Sequence, residues 1–277
     1  MPILSIVVPN RNYGRFADRV FGSLDAQSMP LDDVEILFMD DGSDDDSIQR
    51  ANGWRRRISC ARFEVWPLPR TGRPGPVRNR GLSLASGRYL MSLDPDDALR
   101  PDYLARCLDA LESGADLVYT DYVEHGWDEH RAIRLPDFHP AHLRMQNTLS
   151  PTAVYRRELW DAGVRYRDNT DYEDWDYWVQ CLMAGARFHH LPSPLYDYHL
   201  HSANFSRQAR EHDGRAKALI VRNNPAFFHR RVREWADDYL RGRPLSQAFR
   251  RGHIPSPKDL AALLRVVESA RARAAGF

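Results

Sequence analysis

The sequence predicts an α/β protein with a mostly parallel sheet flanked by helices and a helical C-terminal stretch. Three observations predict it. Short β-branched apolar runs alternate four times with segments of helical period in the first half of the chain. The connections between those runs are too long for hairpins, which favours parallel strands joined by crossover helices. After His201 the chain turns helical and basic, and Pro225, Pro244, Pro255 and Pro257 divide it into two or three helices.

Each element has its own signal. Ile3 to Val8 is a nearly continuous apolar run, as a buried parallel strand requires. Phe16, Val20 and Leu24 recur every four residues on a helix ending before Met29-Pro30. Val34 to Met39 reads as a second buried strand, and Ser43 with Asp46 resembles a capping box for the helix after it. Arg62 to Trp66 alternates as a third strand. Val77 to Ala85 is helix-like, and Tyr89 to Leu93 is a further strand. Pro101 opens a helix with Leu104, Cys107, Leu108 and Leu111 on one face; Gly114 closes it, and Leu117 to Thr120 is again a strand. Gly126 to Leu149 lacks a period and is expected to be irregular, a substrate loop by its histidines. Trp175, Trp178, Val179 and Leu182 have helical spacing.

Composition sets the bounds. A chain of 277 residues, 43% hydrophobic and 28% charged, is that of an ordinary soluble globular protein. No apolar run is long enough to cross a membrane, and Ile3 to Val8 is too short for a signal peptide. Cys60, Cys107 and Cys181 are widely spaced and odd in number, which suits a reducing compartment. A cytoplasmic location is therefore expected, with no nucleic-acid partner. Net charge is +1, yet from Ala216 to Phe277 thirteen Lys and Arg stand against five Asp and Glu. This basic stretch would either pair with the acidic body or dock on anionic lipid or a polyanionic partner. Leu260, Leu263, Leu264 and Val267 on its last helix would suit a homodimer.

The chemistry is carried by acids at strand ends. Asp94-Pro95-Asp96-Asp97 follows an apolar strand, at the edge where open α/β sheets bind ligands. Carboxylates this close repel unless a cation or proton neutralises them, and oxygen ligands suit Mg²⁺ or Mn²⁺. The competing reading is a solvated acidic turn, with Asp96 or Asp97 capping the next helix. Asp40-Asp41-Gly42-Ser43 also ends a strand, where a carboxylate would hold a base ring or a ribose hydroxyl, or else cap a helix. Thr71 to Leu82 is a glycine-bearing loop running into a helix start, an anion site in principle; Arg73 or Arg78 would meet phosphate there, or pair with acids. Tyr172-Glu173-Asp174-Trp175-Asp176 precedes a helix, so one carboxylate would serve as a base or the acids would serve as caps. The tryptophans are read as core rather than as a sugar platform.

In this order the pieces resemble the family 2 inverting glycosyltransferases of the GT-A, Rossmann-like fold, over about residues 3 to 206. The segments that carry the resemblance are Ser5 to Tyr13, Asp40 to Ser43, Arg78-Asn79-Arg80-Gly81-Leu82, Gly87 to Asp97, Glu173 to Asp176, and Tyr198 to Ser206. Val77 stands where the family usually has a small residue, and Asn10 where it often has Thr or Ser. The resemblance implies that Pro9, Asn10, Arg11, Asp41, Arg78, Asn79 and Asp94 bind the nucleotide-sugar donor, with uracil on Asp41. It implies that Asp96 holds Mn²⁺ or Mg²⁺ with support from Asp94 and His201. Asp174 becomes the general base that activates a hydroxyl on a glycan, a lipid-linked molecule or another acceptor. With the charge distribution, the expected division is a glycosyltransferase domain over residues 1–215, with a nucleotide-sugar half (1–100) and an acceptor half (101–215), and a basic helical extension over 216–277. Two other readings remain open: a sugar-1-phosphate nucleotidyltransferase, which would carry a glycine-rich phosphate loop after the first strand, and a non-catalytic nucleotide-sugar-binding module.

Overall fold

The structure is a computed structural model and describes residues 1–127, 129–201 and 209–274. In chain order the strands are β1 Leu4–Asn10, β2 Val34–Asp40, β3 Arg62–Pro67, β4 Tyr89–Ser92, β5 Ala98–Leu99, β6 Leu117–His125, β7 His130–Ile133, β8 Val154–Arg156 and β9 Phe188–His199. The helices are α1 Ala17–Asp25, α2 Ser47–Arg55, α3 Pro74–Leu84, α4 Tyr103–Glu112, α5 Pro140–Leu143, α6 Arg157–Asp161, α7 Glu173–Met183, α8 Asp213–Asn223, α9 Arg230–Leu240 and α10 Pro257–Ala274. Two compact units result. The first comprises Met1–Phe138, Thr148–Asp168 and Cys181–Ala203, and the second His139–Asn147, Asn169–Gln180 and Asn204–Phe277, described residues only.

The first unit holds the whole sheet, ordered β3-β2-β1-β4-β8-β6-β9-β5, with β7 beside β6. The strands β3, β2, β1 and β4 are parallel, as their apolar runs predict. Beyond β4 the sheet is mixed: β8 is antiparallel to β4 and β6, whereas β9 runs parallel to β6. Strand periodicity explains why β1 carries apolar residues on both faces. Leu4, Ile6 and Val8 join Val20, Phe21 and Leu24 of α1 and Leu104, Cys107 and Leu111 of α4 in one buried core. Val7 points the other way, to α3. Gly81 of α3 lies so close to the sheet that a Cβ there would overlap Val7 Cγ1 and stand 3.0 Å from Met39 Cγ. A buried carboxylate also ties this sheet together: Glu35, 0% exposed, accepts from Ser5, Ser86 and Gly87, and pairs with Arg62 at 3.3 Å.

Three expectations change. Ser43 does not cap α2; its hydroxyl donates to Asp40 at 2.6 Å, and the helix begins four residues later, where Asp45 accepts the Ser47 N–H. Gly126 to Leu149 is not wholly irregular: the Gly126 N–H donates to Glu129 O and closes a hairpin in which β7 pairs with the end of β6. The long strand β9 has no clear sequence pattern, because Pro192 and Pro194 interrupt it. The sheet absorbs them where the β6–β9 register shifts at Asp121.

In the second unit α8 is buried almost all round, from Ala216 to Val221, and Val232, Trp235 and Ala236 bury one stripe of α9. Trp175 and Trp178 are buried, 4% and 1% exposed, as core residues. By contrast α10 is largely exposed, with Leu264 and Val266 on its surface.

Candidate active site

In the first unit the loops after β1, β2 and β4 build one polar edge. Asn10 ends β1, and its amide donates to Asp40 Oδ1 at 2.8 Å and Ser43 Oγ at 3.1 Å. Asp40 also accepts the Ser43 N–H at 2.9 Å. Arg11 donates to Asp41 O at 3.1 Å, and Asn12 adopts a positive φ of 56° so that its side chain accepts the Asp44 N–H. Pro9 pairs in register with Met39 and is buried in the strand. The result is a fixed pair of loops in which Asp40 is wholly engaged in structure.

Asp41 is 3% exposed, and its carboxylate accepts the N–H groups of Thr71 and Gly72, at 2.5 and 2.9 Å. It therefore sets the loop that leads to α3. On that helix Arg78 donates to Asp94 Oδ1 at 2.6 Å, with its guanidinium 5.3 Å from the centre of the Tyr166 ring. The two readings of Arg78 meet here, because its acidic partner is itself a candidate donor-binding group. Asn79 turns elsewhere: its side chain donates to Tyr166 O at 2.7 Å and accepts the Tyr166 N–H at 3.0 Å, clamping that backbone. Arg73 donates to Asp168 O.

Asp96 is 7% exposed and lies 2.8 Å from His201 Nε2. Burial raises its carboxyl above the ordinary range; the His201 bond opposes that and Asp94 adds to it. Asp97 does not cap a turn. It is fully buried, accepts from the Tyr196 hydroxyl, and accepts the His199 N–H at 2.8 Å. Burial, then the charges of Asp96 and Asp94, push it well above the carboxylate range. By holding the end of β9, Asp97 sets where His201 begins. Tyr13 is a participant the sequence did not single out. Its ring lies 5.5 Å from that of His201, and burial followed by the nearby Asp96 and Asp94 raises its phenol. Phe16 approaches His201 at 5.0 Å, and Arg19 donates to Asp96 O at 2.9 Å. Ser202 and Ser206, which end the resemblance, lie outside the described residues.

The second unit carries the other acidic cluster. Glu173, Asp174 and Asp176 all occupy the first turn of α7, where the helix dipole favours carboxylates. Asp176 is 0% exposed and accepts Gln180 and Asn224 amides, at 2.9 and 2.8 Å, so it serves structure. Asp174 is half-buried. Its Oδ2 accepts Asn147 Nδ2 at 2.9 Å, and its Oδ1 accepts the Trp175 N–H. Asn147 had no signal of its own in the sequence, because its segment has no period.

Glycosyl transferase family 2 is matched over residues 5–170. The chain belongs to that family. Among its relatives is the putative glycosyltransferase EpsH of Bacillus subtilis, 24% identical over 82% of this chain and 69% of EpsH. Another is the poly(ribitol-phosphate) β-N-acetylglucosaminyltransferase TarS of Staphylococcus aureus, 26% identical over 56% of this chain but only 28% of TarS. The crystal structure of S. aureus TarS 1-349 in complex with UDP-GlcNAc is similar in fold, with a TM-score of 0.65 and 22% identity over 80% of this chain and 66% of that one. So is the mannosyltransferase PcManGT from Pyrobaculum calidifontis, in complex with GDP-Man and Mn²⁺, with a TM-score of 0.64 and 15% identity over 97% of this chain and 76% of that one. The chain is thus a family 2 glycosyltransferase with the α/β architecture of these enzymes.

The donor set fits a hard divalent ion held jointly with a ligand. Among the described residues no group of three or more His, Cys, Asp or Glu converges to hold an ion by protein alone. Mg²⁺ and Mn²⁺ characteristically use one or two carboxylates and take their remaining ligands from phosphate and water. The buried Asp96 carboxylate beside an imidazole, with Asp94 close enough to raise its pKa, offers that partial set.

Proposed function

We propose that this protein is a metal-dependent, inverting glycosyltransferase that moves a sugar from a nucleoside-diphosphate sugar, with UDP as the nucleotide, to an acceptor hydroxyl. The observation that carries the reading is Asp96: a buried carboxylate at the end of β4, beside His201 and in the field of Asp94. A carboxylate taken out of water there is costly unless a cation joins it. A divalent ion held by Asp96 and His201, with Asp94 in support, would stabilise charge on the departing diphosphate.

The chain's own residues do the rest. The loop pair of Asn10, Arg11 and Asp41 walls the nucleotide, and Arg78 is the cation nearest Asp94. Asp174 takes the proton from the acceptor hydroxyl as it attacks the anomeric carbon. The Asn147 amide fixes the Asp174 carboxylate, at the helix start where the dipole favours negative charge. One displacement inverts the configuration, so no nucleophilic side chain is required. A glycan or lipid-linked acceptor, in polysaccharide or glycoconjugate synthesis, and a place at the cytoplasmic face of a membrane accord with the basic C-terminal stretch.

The test is incubation with Mn²⁺ and a panel of UDP-, GDP- and dTDP-sugars, following nucleotide release and the anomer formed. Metal-dependent UDP release with inversion supports the reading. Pyrophosphate made from a sugar phosphate and a nucleoside triphosphate would assign a nucleotidyltransferase instead, and binding without turnover would assign a silent module.

A further inference from the structure

This chain uses arginine almost exclusively: of 39 Lys and Arg, only Lys217 and Lys258 are lysine. Lys217 lies on α8 and is 0% exposed. Its ammonium donates to Asp213 Oδ2 at 3.0 Å, to Gly252 O at 2.9 Å and to Phe249 O at 3.3 Å. An ammonium presents three donors from one point, whereas a guanidinium is a wide planar fork, so the site demands lysine. A buried ion pair is weak evidence for stability, since a well-packed apolar group often does as well. The contacts the pair makes give it a role beyond stability.

What it holds is the approach to α7. Asp213 Oδ1 accepts the hydroxyl of Tyr172 at 3.0 Å, and Tyr172 stands two residues before Asp174. The same approach is fastened along α8. Thr170 Oγ1 donates to Ala216 O at 3.1 Å, and His212 meets Asp171 at 3.3 Å. Asn169 and Asn223 exchange amide bonds at 2.9 Å, and Asn224 donates to Asp176 at 2.8 Å. Residues 169–176 are thereby tied to a helix from the stretch that carried no family pattern.

We propose that the buried Asp213–Lys217 pair, acting through the Tyr172 hydroxyl, is a positioning device that holds the first turn of α7 and so orients Asp174. The proposal rests on the reading of Asp174 as the base. It makes the C-terminal region part of the catalytic apparatus rather than an appendage. Burial lowers the Lys217 pKa and Asp213 opposes that, as expected of an ammonium kept in place by its partner.

The experiment uses the full chain and the nucleotide-sugar that proves active in the panel. Tyr172→Phe removes one hydroxyl and leaves the ion pair intact; Asp213→Asn and Lys217→Met break the pair; Asp174→Asn is the reference. Tyr172→Phe is expected to lower kcat about tenfold or more, as small misplacements of a catalytic group do. Its donor KM and Mn²⁺-UDP affinity should stay within about twofold of wild type, since the hydroxyl acts on orientation rather than on binding. Should Lys217→Met fail to fold, Tyr172→Phe decides alone. Wild-type kcat in Tyr172→Phe, with Asp174→Asn inactive, would overturn the positioning role and leave the base in place. Losses of kcat and nucleotide affinity in parallel with melting temperature would show a merely structural tie and overturn it as well. Undiminished turnover by Asp174→Asn would remove the base reading itself, and the proposal with it.

Discussion

Replacing Gly81 by alanine adds one methyl group where α3 rests on the sheet. That carbon would overlap Val7 Cγ1 of β1 and stand 3.0 Å from Met39 Cγ of β2, against the roughly 3.5–4.0 Å at which carbon atoms rest. Both neighbours sit at 0% exposure in central strands, so neither can move cheaply. Overpacking of this kind costs about 1–3 kcal/mol, and the gain in helix propensity returns about 1 kcal/mol. The net loss is therefore up to about 2 kcal/mol, a fall in melting temperature of up to roughly 8 °C for a chain of this order of size. Gly53 of α2 is the matched control, because a Cβ there meets nothing within 4 Å. Gly53→Ala should stabilise by about 0.5–1 kcal/mol, and both substitutions restrict the unfolded chain alike, so their difference isolates the steric cost. Denaturant and thermal melts of both variants supply the measurement. Calorimetry with UDP adds the functional arm: α3 also carries Arg78, whose 2.6 Å bond to Asp94 would lengthen, so Gly81→Ala alone should bind UDP more weakly. Equal, stabilising shifts in the two variants would refute the seating of α3 on β1 through Gly81.

Other expectations follow from the same geometry. Asp96→Asn should abolish the Mn²⁺-dependent part of UDP binding while the fold persists; unchanged Mn²⁺-dependent affinity by calorimetry would refute the ligand assignment. Burial raises the thiols of Cys107 and Cys181 and, less completely, of Cys60. A raised pKa means less thiolate at any pH below it, so a thiol reagent at pH 8 should label Cys60 slowly and the other two only on unfolding. Label on Cys107 in the native protein would contradict its burial. The exposed α10, with Arg265, Arg271 and Arg273, should bring the chain to anionic vesicles at low salt and release it at high salt. Absent or salt-insensitive binding would remove the membrane proposal.

Local chemistry and period were readable from the chain. The parallel half of the sheet was legible because β1, β2 and β4 are largely apolar on both faces, a pattern few other environments permit. The acids at Asp41, Asp94, Asp96 and Asp174 were legible because they follow strands or start a helix. Contacts between distant segments were not. Residue type and burial pattern alone do not separate Asp96 from Asp97, yet one lies beside His201 and the other is spent on Tyr196 and the His199 backbone. Asn79 matched a motif, but its side chain clamps Tyr166, 87 residues away. Asn147 and the Asp213–Lys217 pair carried no period and no motif, and Tyr13 had a motif but no assigned role. Their roles arise only when segments far apart in the chain meet and each buried polar group must find a partner. The sequence by itself determined which carboxylates stand at the ends of elements. The tertiary structure decided which of them are consumed in holding the fold, because desolvation makes every buried charge depend on its neighbours.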